Sequence, residues 1–229
     1  MTTHSITAPG LPGTHAACDP ASAVTRSLLG YGMLAGPVYV TTWLAQALTR
    51  DGFDLTRHPA SLLANGDLGW IQVANFLASG SMTIAAAVGV RRALGATRGG
   101  RWARRLLGAY GAALVAAGLF RADPMDGFPV GTPAGPADAS WHGVLHLASS
   151  GVGFPALVAA CLVMAGRYAG LGQRGWAAFS AGTGAAFLAA FAGIASGSQQ
   201  PAVVGAFSAA VVLTWGWIAA VSAQLYRRG

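Results

Sequence analysis

The chain has 229 residues, 54% of them hydrophobic and only 9% charged, with a formal net charge of +7. A water-soluble domain carries about 25% charged residues. Too little charge remains here to cover a surface facing water, so the composition points to an integral membrane protein. A nucleic-acid partner is excluded by where the positive charge lies. Every basic residue is an arginine, and the arginines gather at the ends of apolar runs, where they set topology.

Residues 1–25, MTTHSITAPGLPGTHAACDPASAVT, are rich in Pro, Thr, Ser and Gly and show no apolar periodicity. They read as a disordered cytoplasmic tail, which leaves 26–229 as the transmembrane domain. No basic segment precedes a short apolar core, so the tail is not a signal peptide, and the first span serves as an uncleaved insertion signal. Cys18 in the tail and Cys161 in an apolar run are placed too differently to pair.

A transmembrane helix needs about 20 apolar residues. Six such runs follow, at about Ser27–Leu48, Trp70–Val90, Leu106–Phe120, Trp141–Ala165, Trp176–Ala195 and Val203–Leu225, the short third one extending toward Trp102. Pro37 and Pro155 fall inside spans and suggest kinks. Gly32 and Gly36 in the first span, and Gly182, Gly184 and Gly193 in the fifth, are expected at close helix contacts. Trp70, Trp102, Trp141, Trp176, Trp215 and Tyr226 lie near the ends of the expected spans, and most fit an aromatic belt.

The arginines orient this six-helix transmembrane bundle. Arg26 precedes the first span, Arg91, Arg92, Arg98, Arg101, Arg104 and Arg105 fill the second loop, Arg167 and Arg174 the fourth, and Arg227 and Arg228 the C-terminus. With six spans, all four segments share one side, which is expected to be cytoplasmic, with both termini on it and the cytoplasmic membrane as the location. Six of the seven Asp residues fall in loops one and three on the opposite side.

That outer side holds the candidate chemistry. His142 and His146 are four apart, which puts both imidazoles on one helical face, a spacing that suits a divalent metal with Asp123 as a further ligand. Asp123 and Asp126 lead into the fourth span, His58 and Asp67 lie in loop one, and Gln72, Asn75 and Ser79 share a face at the start of the second span. Together they suggest an outward-facing polar pocket. Plainer roles compete. Asp123-Pro124 and Asp126-Gly127 are turn formers, Arg121 can pair with either Asp, Gln72 and Asn75 can hydrogen-bond between helices, and the histidines can be solvated or bonded to a neighbour. No phosphate-binding glycine loop, nucleophile elbow or CxxC is present, and nearly uncharged span centres count against proton pumps and voltage sensors.

The run from HPASLLANGDLGW through NFLASG and FRADPMDGFPVGTP to WHGVLH resembles the bacterial multi-spanning membrane family known as domain of unknown function nine-nine-eight. The family's Ser-Leu element matches Ser61 and Leu62, its Phe-x-x-Asp-Pro motif Phe120, Asp123 and Pro124, and its Gly-x-x-His motif Gly143 and His146. The resemblance covers about Leu28 to Arg227 and implies an all-α, six-helix membrane fold, with no established reaction. His142 lies outside the pattern, which leaves His146 beside Asp123 as the better pair. The expected role is recognition of a small molecule or lipid at the outer face, with Ser61, Asn75, Asp123, Asp126, His142 and His146 as candidate binding residues. The alternatives are a membrane enzyme, metal-assisted or acid–base, acting on a lipid or hydrophobic metabolite, and a small transporter.

Overall fold

The computed structural model of the chain describes residues 20–136 and 138–228. Cys18, and the tail as far as residue 19, lie outside the described residues. Those described are helical, with no sheet: α1 Pro20–Thr49, α2 Gly69–Leu94, α3 Arg98–Leu119, α4 Trp141–Gly170, α5 Arg174–Ala195 and α6 Pro201–Tyr226, with a short 3-10 helix at Ala60–Ala64.

Each of the six expected runs falls on one long helix, the third overshooting its end by Phe120, the C-cap residue of α3. Four of these helices, α2, α4, α5 and α6, are long and apolar enough to cross a membrane. In α1 the apolar run is diluted by Gly, Tyr, Thr and Pro, and in α3 Arg98, Arg101, Arg104 and Arg105 occupy the first two turns. The outward faces carry Leu34, Leu48, Leu147, Val152, Leu162 and Leu188, all exposed. Apolar surface on that scale is what a lipid environment covers, and the chain is a membrane protein in this sense.

Several boundaries move outward from those read in the sequence. α1 starts at Pro20, so residues 20–25 belong to the helix rather than to the tail. α3 starts at Arg98 because the Thr97 hydroxyl accepts a hydrogen bond from Gly100 N at 3.1 Å, which caps the helix before the arginines. α1 and α4 both run on through their prolines. Cys161 is a free, buried thiol.

Each helix packs against its neighbours in sequence, and α6 returns to pack against α1, so the order of contacts closes on itself. The closest approach of two backbones is between α2 and α3. A Cβ added at Gly80 would lie 2.7 Å from the Gly111 carbonyl oxygen, and one added at Gly111 would lie 2.8 Å from the Gly80 carbonyl. The expected small-residue contacts place Gly32 against Ser222 and Gly36 against Trp215, which joins α1 to α6, and Gly184 against Cys161, which joins α5 to α4. Gly182 faces open space.

Trp215 corrects the aromatic-belt expectation. It is 1% exposed and packs in the core against Tyr39 and Tyr110, with ring centroids 5.0 and 6.0 Å away. Trp70, Trp102 and Trp141 are exposed near helix ends. Gln72 and Asn75 do link helices: Gln46 Nε2 donates to Gln72 Oε1 at 2.9 Å, and Asn75 Nδ2 donates to the Tyr39 carbonyl at 3.1 Å.

Candidate functional site

The connections between α1 and α2, α3 and α4, and α5 and α6 meet at one end of the helices, and Asp126 is where they meet. Asp126 and Gly127 have φ of 54° and 86°, and Phe128 N donates to the Met125 carbonyl at 3.0 Å. This is the tight turn that an Asp-Gly pair favours. The turn presents the Asp126 carbonyl to loop one, where it accepts from His58 Nε2 at 3.1 Å and Arg57 Nη2 at 3.3 Å. His58 Nδ1 accepts from Asp54 N at 2.9 Å, so the imidazole proton belongs on Nε2. The Asp126 carboxylate accepts from Gln199 Nε2 of loop five at 2.9 and 3.1 Å. One residue, 7% exposed, therefore ties three loops together.

Arg50 braces the same region. Its two terminal nitrogens donate to the carbonyls of Leu63 and Asn65, each at 2.5 Å, and its guanidinium lies over the Phe128 ring, 4.9 Å from the centroid. Burial lowers the Arg50 pKa and the charge of Asp67 opposes that shift. On the outer edge the Asp54 carboxyl is held below its ordinary pKa, first by the Thr56 hydroxyl and then by Thr56 N.

The residues of the Phe-x-x-Asp-Pro and Gly-x-x-His elements pair off across the joint between α3 and α4. Ser140 caps α4, its hydroxyl accepting from Gly143 N at 3.1 Å. Asp123 holds that cap: Oδ2 accepts from Ser140 N at 3.0 Å and Oδ1 from the Ser140 hydroxyl. Gly143 is required there, because a Cβ would run into the Asp123 carboxylate. One turn on, His146 Nδ1 sits 2.9 Å from the Phe120 carbonyl and 3.3 Å from that of Ala117. Carbonyls only accept, so Nδ1 carries the proton. His146 Nε2 keeps its lone pair and has no partner among the described residues.

Beneath the loops lies a cavity of about 620 Å³, walled by parts of all six helices and all three loops. Its lining is mainly apolar and aromatic, with Phe76, Phe154, Phe191 and Phe207. Its polar members are few. Tyr39, Trp43 and Tyr110 line it, and neither the two hydroxyls nor the Trp43 indole N–H has a hydrogen-bond partner among the described residues. Leu147 and Gly151 of α4, Ala195 of α5 and Arg57, Ala139 and Gln199 of the loops also line it and are exposed, so the cavity reaches the surface.

Of the candidate binding residues, Ser61, Asp123, Asp126 and His146 line this cavity; His142 and Asn75 do not. His142 stacks on Trp141 with centroids 3.5 Å apart, and its buried Nδ1 has no hydrogen-bond partner among the described residues. His142 and His146 thus sit in different surroundings although they share a helix. The candidate metal set does not fit the geometry: among the described residues no group of three or more His, Cys, Asp or Glu is placed to hold an ion. Both Asp123 oxygens are already taken by Ser140. Arg121 pairs with neither Asp123 nor Asp126, whose carboxylates are bonded to Ser140 and Gln199.

Sequence reasoning missed Gln199, Tyr39, Trp43 and Tyr110. Gln199 lies in an uncharged loop that carries no motif. The tyrosines and Trp43 sit inside apolar runs, where an aromatic residue reads as core. No curated protein and no solved structure matches the chain. The family model described as a protein of unknown function, DUF998, matches residues 33–224. That match spans most of the chain, including every motif residue that meets at the α3–α4 joint, and the protein belongs to this family.

Proposed function

We propose that the protein is a six-span bundle of the cytoplasmic membrane, both termini inside, that recognises a lipid or similar amphipathic small molecule in the cavity below its outer loops. The observation that carries this reading is the cavity itself. Binding sites for small molecules are concave and mostly apolar, with a few placed polar groups, and this one offers the Tyr39 and Tyr110 hydroxyls, the Trp43 N–H and His146 Nε2 within an apolar wall. Ser61, Asp123 and Asp126 border the loop end, where a polar headgroup would lie. His142 and Asn75 support the walls from outside.

Ser150 and Ser208 face the cavity and make no side-chain hydrogen bond among the described residues. Ser150→Phe and Ser208→Phe fill the space. Each should cut photocrosslinking of a diazirine-bearing phospholipid by tenfold or more while the thermal midpoint stays within about 2 °C. Undiminished crosslinking in both variants rejects the cavity as the binding site.

The orientation has its own test. A reporter active only outside the cytoplasm, fused after Gly229, should stay silent, while the same reporter inserted beside Val130 of loop three should be active. A strong signal from the C-terminal fusion refutes the six-span arrangement.

His146 favours a second reading, an acid–base enzyme acting on the same class of ligand. An imidazole with Nδ1–H anchored on a carbonyl and Nε2 free is set up to take a proton. His146→Gln would then abolish turnover of the bound lipid and leave crosslinking intact; loss of both together assigns His146 to binding alone.

A further inference from the structure

A second hollow, of about 530 Å³, lies at the opposite end of the molecule, between the ends of α1, α2, α4 and α6. Arg26 from α1, Arg92 from α2, Arg167 from α4 and Arg228 just beyond α6 border it. These four arginines are far apart in sequence and are brought to one cleft only by the packing of four helices. Buried Leu29, Leu94 and Leu225 give the cleft an apolar floor.

Among the described residues no acidic side chain lines the cleft. The six Asp residues that the structure describes, Asp51, Asp54, Asp67, Asp123, Asp126 and Asp138, all belong to loops one and three at the other end. The contacts these arginines make are with neutral groups. Arg92 donates to the Thr25 hydroxyl at 3.0 Å and the Ala21 carbonyl at 3.2 Å, Arg228 donates to Gln173 Oε1 at 3.3 Å, and Arg26 lies over the Tyr226 ring at 5.5 Å. None of the four has a carboxylate partner among the described residues. Like charges gathered around one hollow repel one another, and a bound anion would relieve that repulsion.

We propose that this cleft is a binding site for a phosphate-bearing anion. Guanidinium groups match phosphate oxygens in a forked, two-bond geometry, which an ammonium cannot reproduce. Basic pockets between transmembrane helices on the cytoplasmic side take up lipid headgroups. The apolar floor below the arginines fits the glycerol and upper acyl carbons of an anionic phospholipid. The same guanidinium chemistry would also take a soluble phosphate ester. The site shares no residue with the outer cavity, so neither depends on the other.

The test is the thermal midpoint of the detergent-purified full chain with phosphatidylglycerol, with phosphatidylcholine, or with glycerol 3-phosphate. Phosphatidylglycerol should raise it by about 5 °C more than phosphatidylcholine does. An Arg167→Gln/Arg228→Gln variant should lose at least half of that rise. An Arg98→Gln/Arg101→Gln variant, which removes the same charge away from the cleft, should keep it. A rise with glycerol 3-phosphate as large as with the lipid assigns the site to a soluble phosphate ester. Equal losses in the two double variants, or no rise with either phosphate compound in the wild type, overturn the proposal. Should the cleft double variant not fold, Arg228 can be changed alone, since it is exposed beyond the end of α6; an undiminished rise in Arg228→Gln counts against the site.

Discussion

Gly80→Leu should destabilise the protein by about 3 kcal/mol, which for a chain of this size lowers the thermal midpoint by roughly 6–12 °C. The reason lies at the α2–α3 crossing. A Cβ at position 80 would sit 2.7 Å from the Gly111 carbonyl, 2.9 Å from Val115 Cγ2 and 3.0 Å from Val115 N. Two of those three atoms are backbone and cannot swing aside, so the helices must separate along the crossing, with loss of dispersion contacts on both sides. Inside a bundle embedded in lipid, close backbone packing of this kind replaces the hydrophobic effect as the force between helices. Gly108→Leu on α3 is the control, because nothing lies within 4 Å of a Cβ there. It should leave the midpoint unchanged or raise it slightly, since leucine is a better helix former than glycine by roughly 0.8 kcal/mol. Equal losses at positions 80 and 108 would show that the crossing is not what confines Gly80.

Asp123→Ala should cost about 2–3 kcal/mol, the second largest effect expected. It removes the acceptor of two bonds from Ser140, and the Ser140 hydroxyl in turn caps α4 through Gly143 N. Loosening the start of α4 also loosens His146 one turn along. A double-mutant cycle separates this structural role from direct ligand contact. Asp123→Ala and Ser140→Ala should be coupled by at least about 1 kcal/mol in stability. If the two losses simply add, Asp123 acts independently of the cap and belongs with the ligand-binding groups.

The helices were legible in the sequence because apolarity is a local property: a run of 20 residues is visible without its neighbours. The turn at Asp126-Gly127 was legible for the same reason, since its residues carry the conformation themselves. The Phe120–Asp123 and Gly143–His146 elements could be picked out, yet their meaning lay in pairings over gaps of 17 to 26 residues, such as Asp123 with Ser140 and His146 with the Phe120 carbonyl. Gly80 and Gly111 were hidden further still, since nothing in either helix specifies the register at which the two cross. Tyr39, Trp43 and Tyr110 were unreadable as cavity walls. An aromatic residue in an apolar run faces core, lipid or a hollow according to how the other helices pack, and only the assembled set decides.

The contact of α6 with α1 has a consequence for how the protein is made. The first helix leaves the ribosome long before the last, and until α6 arrives Gly36 lacks the Trp215 it packs against, while Gly32 has Ala86 of α2 beside it but not Ser222. Without α6 the wall that Val204, Phe207 and Val211 contribute to the cavity is absent. A chain that stops before α6 would lack that wall, so the cavity is complete only once translation is.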